Sequence, residues 1–199
     1  MTSLDAFARR ALADLRRHLP RFAVIGGLAV SVRTAPRFTR DLDVAVVVAG
    51  DREAEELVRV LQGDGYSVLA HLEQEAVHRL AQVRLGPAES GSDGPLLDLL
   101  FASSGIEPEI VAAAESLEVL PGLPAPVATT GHLLALKILS HDDRTRPQDR
   151  VDIVALLRIA GEPEIEEARR AINLITARGF TRGRDLPRLL EGFLRDPAA

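Results

Sequence analysis

The fold-deciding stretch is "TRDLDVAVVV", residues 39–48. The apolar, mostly β-branched residues 44–48 that end this segment predict a strand covered on both faces. Asp41 and Asp43 stand one residue apart where that strand begins, so their carboxylates share a face while Leu42 points away. A D-x-D pair alone is most often a turn or a helix cap. Because bare carboxylates resist leaving water, a cation held by both explains this placement beside a buried strand.

A second feature is the segment "RFAVIGG", residues 21–27, which predicts a short strand that ends in two glycines. Gly26 and Gly27 permit a sharp turn of the backbone. A helix that begins at about Leu28 would then direct its free N–H groups into the space above the strand, where they suit phosphate. An ordinary strand-to-helix turn is the competing interpretation.

A third acid, Asp98, lies in the apolar strand segment "PLLDLLF", residues 95–101. A charge in such a strand needs a partner, and a neighbouring strand can bring it beside Asp41 and Asp43. Three carboxylates around one or two Mg²⁺ ions, with Mn²⁺ as a substitute, suit phosphoryl or nucleotidyl transfer. In that chemistry the ions hold a triphosphate, and one carboxylate helps to deprotonate an acceptor hydroxyl.

The remaining sequence predicts an α+β protein. Apolar periodicity indicates helices over residues 4–19 and 51–63 and strands over residues 66–72 and 77–85, with an acidic turn between the two strands. From about Glu107 the pattern turns helical, and the proline-rich segment at residues 120–130 is the expected hinge. We therefore predict a core over residues 1–124 and a helical portion over residues 125–199, packed against the cleft.

Composition limits the function classes. Of the 199 residues, 46% are hydrophobic and 27% charged, which is typical of a globular chain. No apolar run is long enough to span a membrane and the N-terminus does not resemble a signal peptide, so we expect no membrane partner and a cytoplasmic location. A net charge of −5 argues against coating nucleic acid through bulk charge, and 4% aromatic residues argue against a base-stacking platform. Any contact with RNA must be local.

Two segments resemble a known family. "IGGLAVSVRTAPRFTRDLDV", residues 25–44, is similar to the signature of the polymerase-β-like nucleotidyltransferases, and more narrowly to the AbiEii/AbiGii-type toxin nucleotidyltransferases. "LLALKILSHDDRTRPQDRVDI", residues 133–153, resembles the helix lysine, basic stretch and spaced aspartates of that group. The resemblance implies a polymerase-β-like nucleotidyltransferase core, with a mixed sheet flanked by helices and a helical C-terminal portion.

The residues and the resemblance together define a candidate site. The catalytic candidates are Asp41, Asp43, Asp98, Lys137 and Asp152, of which the first three would hold the metal. The nucleotide-binding candidates are Gly26, Gly27, Arg37, Arg40, Lys137 and Asp149. Simpler roles stay open: the two arginines can neutralise the carboxylates, Lys137 can extend into water, and Asp149 can complement a helix N-terminus.

The implied reaction is Mg²⁺-dependent transfer of a nucleoside monophosphate from an NTP to a hydroxyl. If the toxin resemblance extends to function, the acceptor is the 3′ end of tRNA or another RNA, and a cognate antitoxin restrains the activity. Two alternatives remain at this level: a small-molecule, antibiotic-type nucleotidyltransferase and a non-catalytic nucleotide-binding protein of the same fold. Retention of all three acids counts against the non-catalytic alternative.

Overall fold

The computed structural model describes residues 3–37, 39–74, 78–89, 94–142 and 144–196, which form one mixed sheet flanked by helices. The strands are β1 (Phe22–Ile25), β2 (Asp41–Val46), β3 (Tyr66–Gln74), β4 (Arg79–Pro87), β5 (Leu96–Leu100), β6 (Glu115–Leu120) and β7 (Leu123–Val127). Their order across the sheet is β3-β4-β5-β2-β1-β7-β6. The pairs β2–β5 and β1–β7 are parallel and the others are antiparallel, so the predicted mixed sheet is confirmed.

Eight helices lie in the described part of the chain. They are α1 (Ser3–His18), α2 (Gly26–Arg33), α3 (Asp51–Gly63), α4 (Glu107–Ala113), α5 (Thr130–Ser140), α6 (Pro147–Ile159), α7 (Glu162–Ala177) and α8 (Leu186–Arg195). Helix α5 contacts α2, α6, α7 and α8, so it links the C-terminal helices to the sheet side of the molecule. Within those described ranges, no helix combines the length and the apolar character that crossing a membrane requires.

Strand β2 is the centre of the core, as its sequence predicts. Leu42, Val44 and Val46 are fully buried on one face. The opposite face carries Asp41 and Asp43, which are only partly buried. Because side chains alternate along the strand, one face of β2 packs into the apolar core and the other carries the two carboxylates.

The prediction that the chain is helical from about Glu107 onward is wrong for the segment that follows α4. Strands β6 and β7 form an antiparallel hairpin there, and the expected hinge at residues 120–130 contains its turn and β7. Two prolines, Pro124 and Pro126, obscured this strand. They are tolerated because β7 pairs with β1 only at Val24 and Val127, so no long ladder on that side loses a donor.

Helix α2 starts at Gly26 and not near Leu28, since the two glycines form its first turn and Gly26 adopts a φ of 64°. The division at residues 124 and 125 stays a prediction about domains, and it falls inside β7, a strand of the main sheet. The predicted turn between β3 and β4 and the loop before β5 lie partly outside the described residues.

Candidate active site

The site begins as a row of residues across four strands. Parallel register places Asp43 of β2 directly beside Asp98 of β5. Antiparallel register places Ile25 of β1 beside Asp43, and Arg84 of β4 beside Asp98. The strand pairing thus brings together acids that are 55 residues apart in the chain (98 − 43 = 55).

Asp43 lies against the turn between β1 and α2. A Cβ atom added to Gly26 would stand 1.9 Å from Asp43 Oδ2, so only glycine leaves room for this carboxylate. The backbone N–H of Gly27 donates a hydrogen bond to Asp43. Burial is the largest influence on this group, followed by the charge of Asp98, and together they raise the pKa of Asp43 to about 7.

Asp41 lies two residues earlier on the same face, and 36% of its side chain is exposed. Burial raises its pKa above the ordinary value, and the nearby Asp98 adds to that rise. The guanidinium of Arg84 opposes it, with Nη2 at 3.9 Å from Asp41 Oδ2. The two strand acids therefore share a surplus of negative charge.

Asp98 is 2% exposed and is held by Arg84 through two parallel hydrogen bonds. Arg84 Nε donates to Oδ1 at 2.9 Å, and Nη2 donates to Oδ2 at 2.7 Å. These bonds are the largest cause of a raised pKa of Arg84, so the guanidinium stays charged. Both oxygens of Asp98 thus accept hydrogen bonds from Arg84, a residue that nothing in the local sequence marks as part of the site.

Lys137 faces the row from α5 and is tied to α6. Its Nζ lies 2.7 Å from Asp149 Oδ1 and 2.8 Å from Asp152 Oδ2. Both acids are buried, with further donors from Ser140 to Asp149 and from Arg37 to Asp152. The lysine is therefore a partner of two buried carboxylates as well as a group on the cleft wall, and its removal would leave them under-compensated.

Sheet and helices enclose a cleft of about 640 Å³. The predicted residues that line it are Gly26, Gly27, Arg37, Asp41, Asp43, Asp98, Lys137 and Asp149. Asp152 lies behind Lys137, and its contact there is with Arg37 and Lys137. Arg40 lines a neighbouring cavity near α2 and the β6–β7 hairpin. The roles predicted for all these residues remain predictions.

Two cleft residues were missed from the sequence. Arg84 was not distinguishable from any solvent-facing strand arginine, because its partner depends on the register of β4 against β5. Arg182 lies between α7 and α8 with a φ of 56°, unusual for a residue with a side chain. Its Nη2 donates to the Ser103 carbonyl at 3.3 Å and to Ser103 Oγ at 3.2 Å.

Arg182 shares the cleft wall with Arg146, the residue just before α6. Burial, and then the charges of Arg146 and Arg184, lower the pKa of Arg182. Arginine nevertheless keeps its charge at neutral pH. This end of the cleft is therefore locally cationic, in contrast to the acid row on the sheet and to the net charge of −5.

The donor set can be compared with what Mg²⁺ requires. Asp41 and Asp43 offer carboxylate oxygens on one face, and burial and the nearby Asp98 disfavour their charged forms and raise both pKa values, an effect that a bound divalent cation would reverse. Both oxygens of Asp98 already accept hydrogen bonds from Arg84, whose positive charge opposes a metal ion at the same carboxylate. Over the described ranges no three acidic or histidine side chains stand ready as a ligand set. Asp41 and Asp43 can therefore bind the ion in their present positions, whereas Asp98 would join them once Arg84 moves away.

A carboxylate-bearing strand beside a glycine turn, facing a cationic helical wall, is an arrangement suited to nucleotide transfer. Residues 10–199 match the family described as "Nucleotidyl transferase AbiEii toxin, Type IV TA system". The chain belongs to this family and is a nucleotidyl transferase. No curated protein sequence matches the chain.

Solved structures that match the chain include JHP933 from Helicobacter pylori, at 13% identity and a TM-score of 0.45, with 94% of this chain and 86% of that chain covered. The antibiotic-resistance factor ANT(2'')-Ia matches at 20% identity and a TM-score of 0.45, with 96% and 90% covered. MenT4, a nucleotidyltransferase toxin from Mycobacterium tuberculosis H37Rv, matches at 16% identity and a TM-score of 0.39, with 98% and 89% covered. Similarity at this level assigns no residue roles.

Proposed function

We propose that this nucleotidyl transferase uses Mg²⁺ to move a nucleoside monophosphate from an NTP to a hydroxyl of RNA, with the 3′ end of tRNA as the leading acceptor. The observation that carries the proposal is the parallel pairing of Asp43 with Asp98 on the floor of a cleft of about 640 Å³. The opposite wall, formed by helices and the loop before α8, carries the positively charged side chains Lys137, Arg146 and Arg182. This layout suits a phosphate ester that reacts between acidic and basic side chains.

In the proposed reaction the acceptor oxygen attacks the α-phosphorus, the bond to the β-phosphate breaks, and pyrophosphate leaves. Asp41 and Asp43 would hold Mg²⁺, joined by Asp98 when Arg84 releases it. The ion supplies charge compensation for the triphosphate and the leaving group. Asp98, which lies in register with Asp43 on the cleft floor, would accept the hydroxyl proton once Arg84 has moved away from it.

The triphosphate has two sets of donors on the α2 and α5 side of the cleft. Gly26 and Gly27 bring the first turn of α2 close to Asp43, so backbone N–H groups there can approach phosphate oxygens. Lys137 and Arg37 supply positive charge beside that turn. Asp149 and Asp152 position these two cations by the ion pairs described above.

Support for an anionic acceptor comes from the other end of the cleft. Arg146 and Arg182 line it, and within the described part of the chain neither forms an ion pair with a carboxylate, so an incoming phosphodiester would meet positive charge there. A cationic small-molecule antibiotic would be repelled there. We place the reaction in the cytoplasm, where NTPs and tRNA occur, with a cognate antitoxin as the regulator that the family description suggests.

The acceptor class is tested by incubating the purified protein with each α-labelled NTP and either total RNA, purified tRNA or a panel of hydroxylated antibiotics. We expect label in tRNA or another RNA, dependent on Mg²⁺. Label transferred to an antibiotic and not to RNA would establish the small-molecule alternative instead.

A further inference from the structure

Arg84 creates a conflict within the proposed site. The acid assigned as base has both oxygens occupied, at 2.9 Å and 2.7 Å, by one guanidinium. A carboxylate paired in this way is a poor proton acceptor and a weak metal ligand, because the guanidinium already compensates its charge and covers one lone pair of each oxygen. The proposed roles of Asp98 therefore call for Arg84 to move away from it.

The two partners differ in their freedom to move. Asp98 is 2% exposed at its side chain, in the middle of β5, whereas the Arg84 side chain is 40% exposed and lines the cleft. The guanidinium also lies 3.9 Å from Asp41, so it stands between two of the three acids. Arg84 is thus the partner that a ligand in the cleft can reach. Its guanidinium already lies beside Asp41 and Asp98, where a bound metal ion would compensate the same carboxylates.

A purely structural ion pair is the simpler interpretation. It explains the burial of Asp98, since a buried carboxylate needs compensation. It does not explain why the compensating group comes from the cleft side and reaches towards Asp41. A substrate-facing arginine is also well suited to bind phosphate oxygens in the same two-pronged way in which it binds a carboxylate.

We propose that Arg84 is a built-in counter-cation that competes with the divalent metal for Asp98 and moves to the triphosphate when nucleotide binds. This inference rests on the proposed metal site. Without nucleotide, Arg84 neutralises the acids and keeps Asp98 out of the reaction. With nucleotide, the triphosphate offers Arg84 a more highly charged partner, and Asp98 becomes available to metal and proton. Nucleotide and metal therefore bind cooperatively through Arg84.

The test measures Mn²⁺ affinity by titration calorimetry in the full-length protein, with and without a non-hydrolysable NTP analogue. Arg84→Gln removes the competing charge, and Arg59→Gln removes an equal charge from the exposed face of α3 as a control. Without nucleotide, we expect Arg84→Gln to bind Mn²⁺ about tenfold more tightly than wild type, and the control to equal wild type. The factor by which the analogue raises Mn²⁺ affinity should be about ten times smaller in Arg84→Gln than in wild type.

Equal Mn²⁺ affinity of wild type and Arg84→Gln without nucleotide would overturn the inference and leave a structural ion pair. Failure of every protein to bind Mn²⁺, even with the analogue, would overturn the metal site and the inference with it. If Arg84→Gln does not fold, Arg84→Lys keeps the charge but not the paired donors. That variant should show an intermediate Mn²⁺ affinity, and wild-type affinity in it would contradict the proposal.

Discussion

At the scale of single residues, Asp43 is the acid whose charged form is disfavoured strongly enough to raise its pKa to about 7. Its folded pKa of about 7 lies above the ordinary 3.8, so the native state keeps a proton that the unfolded state releases between those values. The contribution of Asp43 to the stability of the metal-free protein therefore falls as pH rises from about 4 to about 7, by up to about 1.4 kcal/mol per pH unit, and then levels off. A neutral residue at position 43 would not lose stability in this way as pH rises.

We expect Asp43→Asn to be as stable as wild type near pH 4.5 and more stable at pH 8, when both are unfolded by urea in chelator. The difference between the two free energies of unfolding should grow across that interval. A difference that does not vary with pH, or a less stable variant at pH 8, would show that Asp43 is a satisfied structural acid.

Lys137 shows what a residue type and its spacing cannot reveal. The sequence places it on an apolar helix and the resemblance assigns it to phosphate. Its ion pairs with Asp149 and Asp152 depend on how α5 and α6 pack, which no local pattern encodes. Loss of transfer on substitution of Lys137 would therefore combine a lost phosphate contact with a disturbed pair of buried acids.

Among the elements, the turn from β1 into α2 decides the position of Asp43. Gly26→Ala would combine a φ of 64° with a contact of 1.9 Å to the Asp43 carboxylate. Gly122→Ala is the matched control, because Gly122 has a φ of 69° and nothing within 4 Å of the added atom. The comparison separates backbone strain from displacement of the acid.

We expect Gly122→Ala to cost about 1–2 kcal/mol in thermal or urea unfolding and to leave transfer unchanged. Gly26→Ala should be less stable than that control and should lose transfer by on the order of 100-fold, because the acid must move. Equal effects of the two substitutions on stability and activity would contradict the assigned role of the turn.

Elements with a strong apolar pattern were predictable from sequence. The helices α1 and α3 follow directly from apolar periodicity, β2 from its apolar, β-branched run, and β5 from its short run of leucines around Asp98. Strands β6 and β7 were not, because exposed glutamates and two prolines hide a short half-buried hairpin. Within the site, the acids were identifiable as charges inside apolar strands, whereas Arg84 and Arg182 depend on register and on a loop conformation.

At the scale of the molecule, a net charge of −5 coexists with a local cationic end of the cleft. If Arg146 and Arg182 meet acceptor phosphates, replacing both with glutamine should weaken RNA binding and reduce the slope of log affinity against log salt by about 1 to 2. Arg188→Gln, on the exposed side of α8, is the control and should behave as wild type. An unchanged salt slope in the double variant, measured by fluorescence anisotropy, would exclude this contact.

The central claim is that the Asp41, Asp43 and Asp98 cleft performs nucleotidyl transfer. It is tested most directly by measuring label transfer from α-labelled NTP to RNA, with pyrophosphate release, in wild type, Asp43→Asn and the surface variant Asp51→Asn at equal concentrations of folded protein. We predict that wild type and Asp51→Asn transfer label in Mg²⁺ and that Asp43→Asn transfers none above background. Wild-type transfer by Asp43→Asn would contradict the account.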